Sequence, residues 1–158
     1  MLFLDTFGYG YNKSLCGDIV RWFVFTHLPK HKIEIEIIHR GLKREAVYGW
    51  CSVQDCDWKP RNFLIEIQSN LSQKDYIQTL LHELYHCYQH IKGDLRDVRG
   101  IRCWKGIKWE DENYDNMPWE IEAREQEETL YLQYLIEKQG VPVPQVSQFF
   151  PNRLMQAV

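Results

Sequence analysis

The stretch Leu80-Leu81-His82-Glu83-Leu84-Tyr85-His86 decides how the rest of the chain reads. On a helix, residues four apart share a face, so His82 and His86 can reach a single metal ion. Glu83 stands beside such an ion without pointing squarely at it, where a carboxylate can act as general base on a water. The flanking sequence predicts the helix this needs. Ser72-x-x-Asp75 resembles a capping box with Asp in the Glu position. Helical periodicity then runs from about Gln73 to Ile91, before Gly93. Ile77, Leu80, Leu81, Leu84, Tyr88 and Ile91 form one apolar stripe, and His82, Glu83, His86 and His90 fall opposite it. A helix with chemistry on that second face needs another layer of protein over it.

The segments before the motif supply a core. Residues 1–12 are rich in Gly and Tyr and offer no clear element. Lys13 to His27 reads as a first helix closed by Pro29. Ile33-Glu34-Ile35-Glu36-Ile37 alternates as a strand, Ala46 to Val53 reads as a second, and Asn62 to Ser69 as a third. After the motif, Ile101 to Trp104 and Ile107 to Trp109 read as a hairpin about Lys105-Gly106. Glu110 to Asn116 is an acidic loop. Pro118 opens a helix to about Gln139, ended by Gly140, and from Val141 an irregular extension is expected.

Composition limits the function classes. A chain of 158 residues, 44% hydrophobic and 14% aromatic, suits one folded domain spanning 1–158. No stretch approaches the length of a membrane span. The start, Met1-Leu2-Phe3-Leu4-Asp5, lacks the basic region of a signal peptide, so a cytoplasmic location is expected, in the host if the protein is viral. Five cysteines without a Cys-x-x-Cys pair read as free thiols, with Cys51 and Cys56 the one pair worth testing for a bond or a metal. A net charge of −3 argues against a generic nucleic-acid binder. A local basic run from Lys92 to Lys108 keeps nucleic acid or an acidic protein open as partners.

A catalytic metal site takes three protein ligands and leaves a position for water. His90 lies about 12 Å along the helix axis from His82, too far to share its ion. The last helix offers Glu120 and Glu122, about 200° apart, so only one can face the motif. Glu120 shares its side with Arg124, Glu127 and Tyr131, which reads as a solvated face, and an acid in a first turn is favoured by the helix dipole alone. Glu122 lies between two apolar flanks, where a half-buried carboxylate needs a partner. Glu122 is therefore the preferred third ligand and Glu120 the alternative.

His82-Glu83-x-x-His86 with a Glu on a later helix resembles the gluzincin class of zinc metallopeptidases. The order of elements is similar to the minimal zincin core also found in SprT-like proteins and in small metallopeptidase-like proteins of phages and bacteria. Glu122-Ala123 matches the small residue that follows the ligand Glu in thermolysin-like members. The likeness spans residues 33 to about 139. The sequence departs from it in the hairpin between His86 and Glu122 and in lacking the Cys-rich zinc ribbon of SprT-like proteins.

The resemblance implies an α+β zincin-like domain: an N-terminal helix, a three-stranded sheet plus hairpin, the motif helix and a Glu-bearing helix. It implies a zinc ion held by His82, His86 and Glu122, with Glu83 as general base in peptide-bond hydrolysis. Tyr114 is the first candidate to stabilise the oxyanion, with Tyr85 and His90 behind it. The strand Asn62 to Ser69 is expected to form the sheet edge on which an extended peptide substrate adds, and the hairpin to wall the cleft. The second reading is a zinc-bearing regulatory or binding module with little proteolysis, with nucleic-acid association as a third class left open by the basic run. The presence of Glu83 favours hydrolysis.

Overall fold

The computed structural model describes residues 1–111 and 113–141; the irregular extension expected beyond Val141 lies outside them. The chain runs β1 (Leu2–Gly8), α1 (Lys13–His27), β2 (Ile33–Arg40), β3 (Gly49–Val53), β4 (Asn62–Gln68), α2 (Gln73–Lys92), β5 (Leu95–Val98), β6 (Ile101–Trp104), β7 (Ile107–Lys108) and α3 (Pro118–Gln139). This is an α+β domain of three helices and two sheets. The expected helices occur close to their expected bounds, because each combines an apolar stripe with an end signal. Ser72 Oγ accepts from the Asp75 amide at the start of α2, and Gly93 ends it in the left-handed region at φ 82°.

The main sheet has four strands, in the order β1-β2-β4-β3. The first two pairings are parallel and the last is antiparallel. Two sequence expectations are corrected here. Residues 2–8 form a strand, where no element was expected: Phe3 and Phe7 are exposed on one face while Leu2 and Leu4 pack on the other, so the period-two contrast disappears. The strand Asn62–Gln68 is internal, since β2 and β3 occupy both its edges; the edge near the motif helix is β3. Alternation tells which side chains face inward. It says nothing about which strand lies beside which.

Ile33, Ile35 and Ile37 of β2 and Phe63, Ile65 and Ile67 of β4 point to one face of the sheet and are all buried. They form one core with Ile19, Val20 and Phe23 of α1 and with Ile77, Leu80, Leu81 and Leu84 of α2. The opposite side of α2 is covered as well, by α3 and by the small sheet β5-β6-β7, which adds a strand to the expected hairpin. The motif helix is thus covered on both sides. No helix among the described residues is long and apolar enough to cross a membrane.

Candidate metal centre

On α3, Glu120, Ala123, Glu127, Leu130 and Tyr134 form a seam within about 80° of one another, and Glu120 and Glu127 of this face meet His82 of α2. Ala123, Leu130 and Tyr134 are buried, and Glu120 is only 6% exposed. The seam carries carboxylates at its N-terminal half, which is why that face reads as solvated in the sequence. Small Ala123 between the two acids lets the helices approach. Ala123 follows Glu122 directly and lies three residues after Glu120, so in the sequence it marks a close approach without choosing between the two acids.

The structure brings His82, His86 and Glu120 together, each offering a ligand atom within 4.8 Å of the others. The two Nε2 atoms are 3.1 Å apart. Glu120 places Oε2 3.2 Å from His82 Nε2 and Oε1 3.2 Å from His86 Nε2. The expected third ligand, Glu122, is not at this cluster. Its Oε2 accepts a hydrogen bond from Gln89 Nε2 at 2.9 Å. The reason is rotational: Glu120 lies on the seam and Glu122 about 200° away from it, so Glu122 reaches the flank of α2 one turn further on.

The outer nitrogens of both histidines are fixed. Gln89 Nε2 donates to the Trp119 carbonyl at 3.0 Å and to Glu122, so its Oε1 must face His86, where it lies 2.8 Å from Nδ1. An amide oxygen only accepts, and the hydrogen is therefore on His86 Nδ1. Glu127 Oε2 lies 3.2 Å from His82 Nδ1 and draws the hydrogen of that ring in the same way. Two neutral imidazoles held so present bare Nε2 lone pairs to each other and to the Glu120 carboxylate. Lone pairs at these distances repel unless a cation lies among them, so the donor set fits a metal ion. With a proton in that place, burial opposes the charge on His82, but the hydrogen bonds to Glu120 and Glu127 carry its pKa up to about 10. Glu120 is held well below the usual carboxylate range: burial raises it, and the bonds from His82, His86 and Tyr114 outweigh that.

Glu83 is 5% exposed, and burial pushes its carboxyl up to about 7, against the pull of the two histidines. Gly49, at the start of β3, makes room for it: a Cβ there would come within 2.6 Å of Glu83 Oε1. Tyr114 donates to Glu120 Oε2 at 2.8 Å from the turn before α3. Burial and the Glu120 charge raise its phenol, which keeps it a donor. Beside His82 and Glu83 opens a cleft of about 360 Å³, lined also by Tyr48, Gly49, Thr79, Arg124 and Glu127.

The other singled-out residues fall elsewhere. His90, the other oxyanion candidate, is buried against the Phe63 ring, where burial and then Arg102 lower it to about 4, so it is a neutral core residue. Tyr85 stacks on Tyr88 and bonds Glu122. Cys51 does not pair with Cys56: its Sγ lies 3.5 Å from Cys87 Sγ, while Cys56 Sγ donates to the Lys59 carbonyl. Much of the basic run is locally engaged. Arg102 pairs with Asp97 at 2.6 Å, Lys108 pairs with Glu110 at 2.9 Å, and Lys92 and Lys105 lie over Tyr88 and Trp104. No protein-family model matches the chain, and no curated protein or solved structure matches it significantly.

Proposed function

We propose that this protein is a zinc-dependent peptidase of the zincin type, with His82, His86 and Glu120 as the ligands and Glu83 as the general base. One observation carries the reading: two Nε2 atoms and a carboxylate converge at 3.1 to 3.2 Å, with Glu127 and Gln89 oxygens facing the two Nδ1 atoms. Donor atoms at about 2.0–2.1 Å from a tetrahedral zinc ion lie about 3.3 Å from one another, close to what is seen here. Two imidazoles and a carboxylate also suit zinc better than magnesium or calcium, which prefer oxygen.

The ion, when bound, supplies Lewis acidity that polarises a carbonyl and lowers the pKa of a water. The protein side chains do the rest. Glu83, a buried carboxylate beside the ligand histidines, would accept the proton of the attacking water and pass it to the departing amine nitrogen. The Tyr114 hydroxyl donates to Glu120 Oε2 as the structure stands, and it would have to turn from that carboxylate to donate to the developing oxyanion. The free edge of β3 bounds the cleft through Gly49, so an extended peptide would add there as a further antiparallel or parallel strand.

The test is direct. Purified protein should carry about one zinc per chain, and Glu83→Gln should keep it while abolishing cleavage of unstructured protein substrates. A protein that takes up no zinc would sink the metal reading. A Glu83→Gln variant that still cleaves would sink the assignment of the base. Zinc bound without any cleavage by the parent chain would favour a binding or regulatory role.

A further inference from the structure

We propose that Cys51 and Cys87 are an oxidisable dithiol, a modification site for hydroperoxides, whose disulfide would displace the Glu83 carboxylate. Cys51 lies on β3 and Cys87 on α2, in different elements and far apart in sequence, yet their sulfurs are in contact at 3.5 Å. Both are free thiols. Cys87 is 1% exposed and Cys51 partly exposed, so an oxidant enters at Cys51.

The chemistry balances with hydrogen peroxide as oxidant. The Cys51 sulfur attacks one peroxide oxygen: an S–O bond forms, the O–O bond breaks, and the other oxygen leaves as water with the thiol proton. The Cys87 sulfur then attacks the Cys51 sulfenic acid. The S–S bond forms, the S–O bond breaks, and a second water leaves with the Cys87 proton. The two thiols lose two electrons, which the peroxide gains. The bond to Cys87, together with burial, holds the Cys51 thiol well above its ordinary range, so little thiolate is present and the first step is slow.

The link to the site is mechanical. Disulfide sulfurs are about 2.05 Å apart, so closure draws the pair together by about 1.5 Å and pulls β3 toward α2. Two residues before Cys51 on the same strand, Gly49 already lies against Glu83 with no space for a methyl group. The carboxylate has to yield. This consequence rests on the peptidase reading; the cross-link itself does not.

Zinc-loaded full-length protein is treated with hydrogen peroxide, blocked with iodoacetamide and mapped by mass spectrometry. The expected result is a Cys51–Cys87 cross-linked peptide, reversed by dithiothreitol and absent from Cys51→Ala and from Cys87→Ala. Zinc should stay bound while cleavage falls about 100-fold, as for a misplacement of about 1 Å, and returns on reduction. Cys51→Ala should cleave normally and resist peroxide. If Cys51 and Cys87 stay alkylated while Cys56 or Cys103 oxidises, the dithiol is overturned. A cross-link that leaves cleavage unchanged overturns the coupling to Glu83. If the reduced protein cleaves nothing, the peptidase reading is what fails, and the dithiol stands or falls on the cross-link.

Discussion

Glu122 accepts a hydrogen bond from Gln89 at 2.9 Å, and through that amide it helps fix the ring of His86. It is thus a positioning residue one step behind the candidate metal centre, while Glu120 stands at the centre itself.

That relationship sets an order of effects on metal affinity. Glu120→Ala should lose the most, because it removes a carboxylate of the candidate centre itself. Gln89→Ala should lose about 10- to 100-fold, the usual cost of removing the group that orients a ligand histidine. Glu122→Ala should lose less than Gln89→Ala, since the Trp119 carbonyl still holds the amide. Chelator competition measures all three. A larger loss for Glu122→Ala than for Glu120→Ala would reverse the assignment.

Metal uptake should release a proton. In the metal-free protein His82 titrates at about 10, above neutral pH, so it carries its extra proton at pH 7.5 and must give it up on binding a cation. Calorimetry in two buffers of different ionisation enthalpy should report about one proton released per metal. The apparent affinity should fall as pH falls. A pH-independent affinity between 6 and 8 would contradict this.

The stability of the metal-free protein should depend on Glu83. Its folded pKa, about 7, lies above the unfolded value, so the stabilisation it gives is complete below the unfolded pKa and is lost as pH rises through 7. Glu83→Gln should therefore melt higher than the parent at pH 8, with the gap closing toward pH 5. Thermal unfolding of the two metal-free proteins measures it; equal melting temperatures at pH 8 would mean the carboxylate bears no burial cost.

Gly49→Ala probes the wall behind the base. The added methyl would meet Glu83 Oε1 at 2.6 Å. The fold and the metal should survive, while cleavage falls about 10- to 100-fold because the carboxylate is displaced. Metal content and kcat/KM on one preparation test this; unchanged kinetics would show that Glu83 has room to spare.

The motif helix, its apolar stripe, the His82–Glu83–His86 face and the presence of a following Glu-bearing helix are legible in the chain, because each is a local periodicity with its own end signals. Other features arise only when the elements pack. Whether Glu120 or Glu122 meets the histidines depends on which face of α3 packs on α2, and a seam of Glu120, Ala123 and Glu127 looks solvent-facing until a partner covers it. That β3 and not β4 is the sheet edge depends on strand order, which alternation does not encode. The contact between Cys51 and Cys87 likewise exists only once β3 lies against α2. Spacing along one element is written in the chain; pairing between elements depends on the core that forms when they meet.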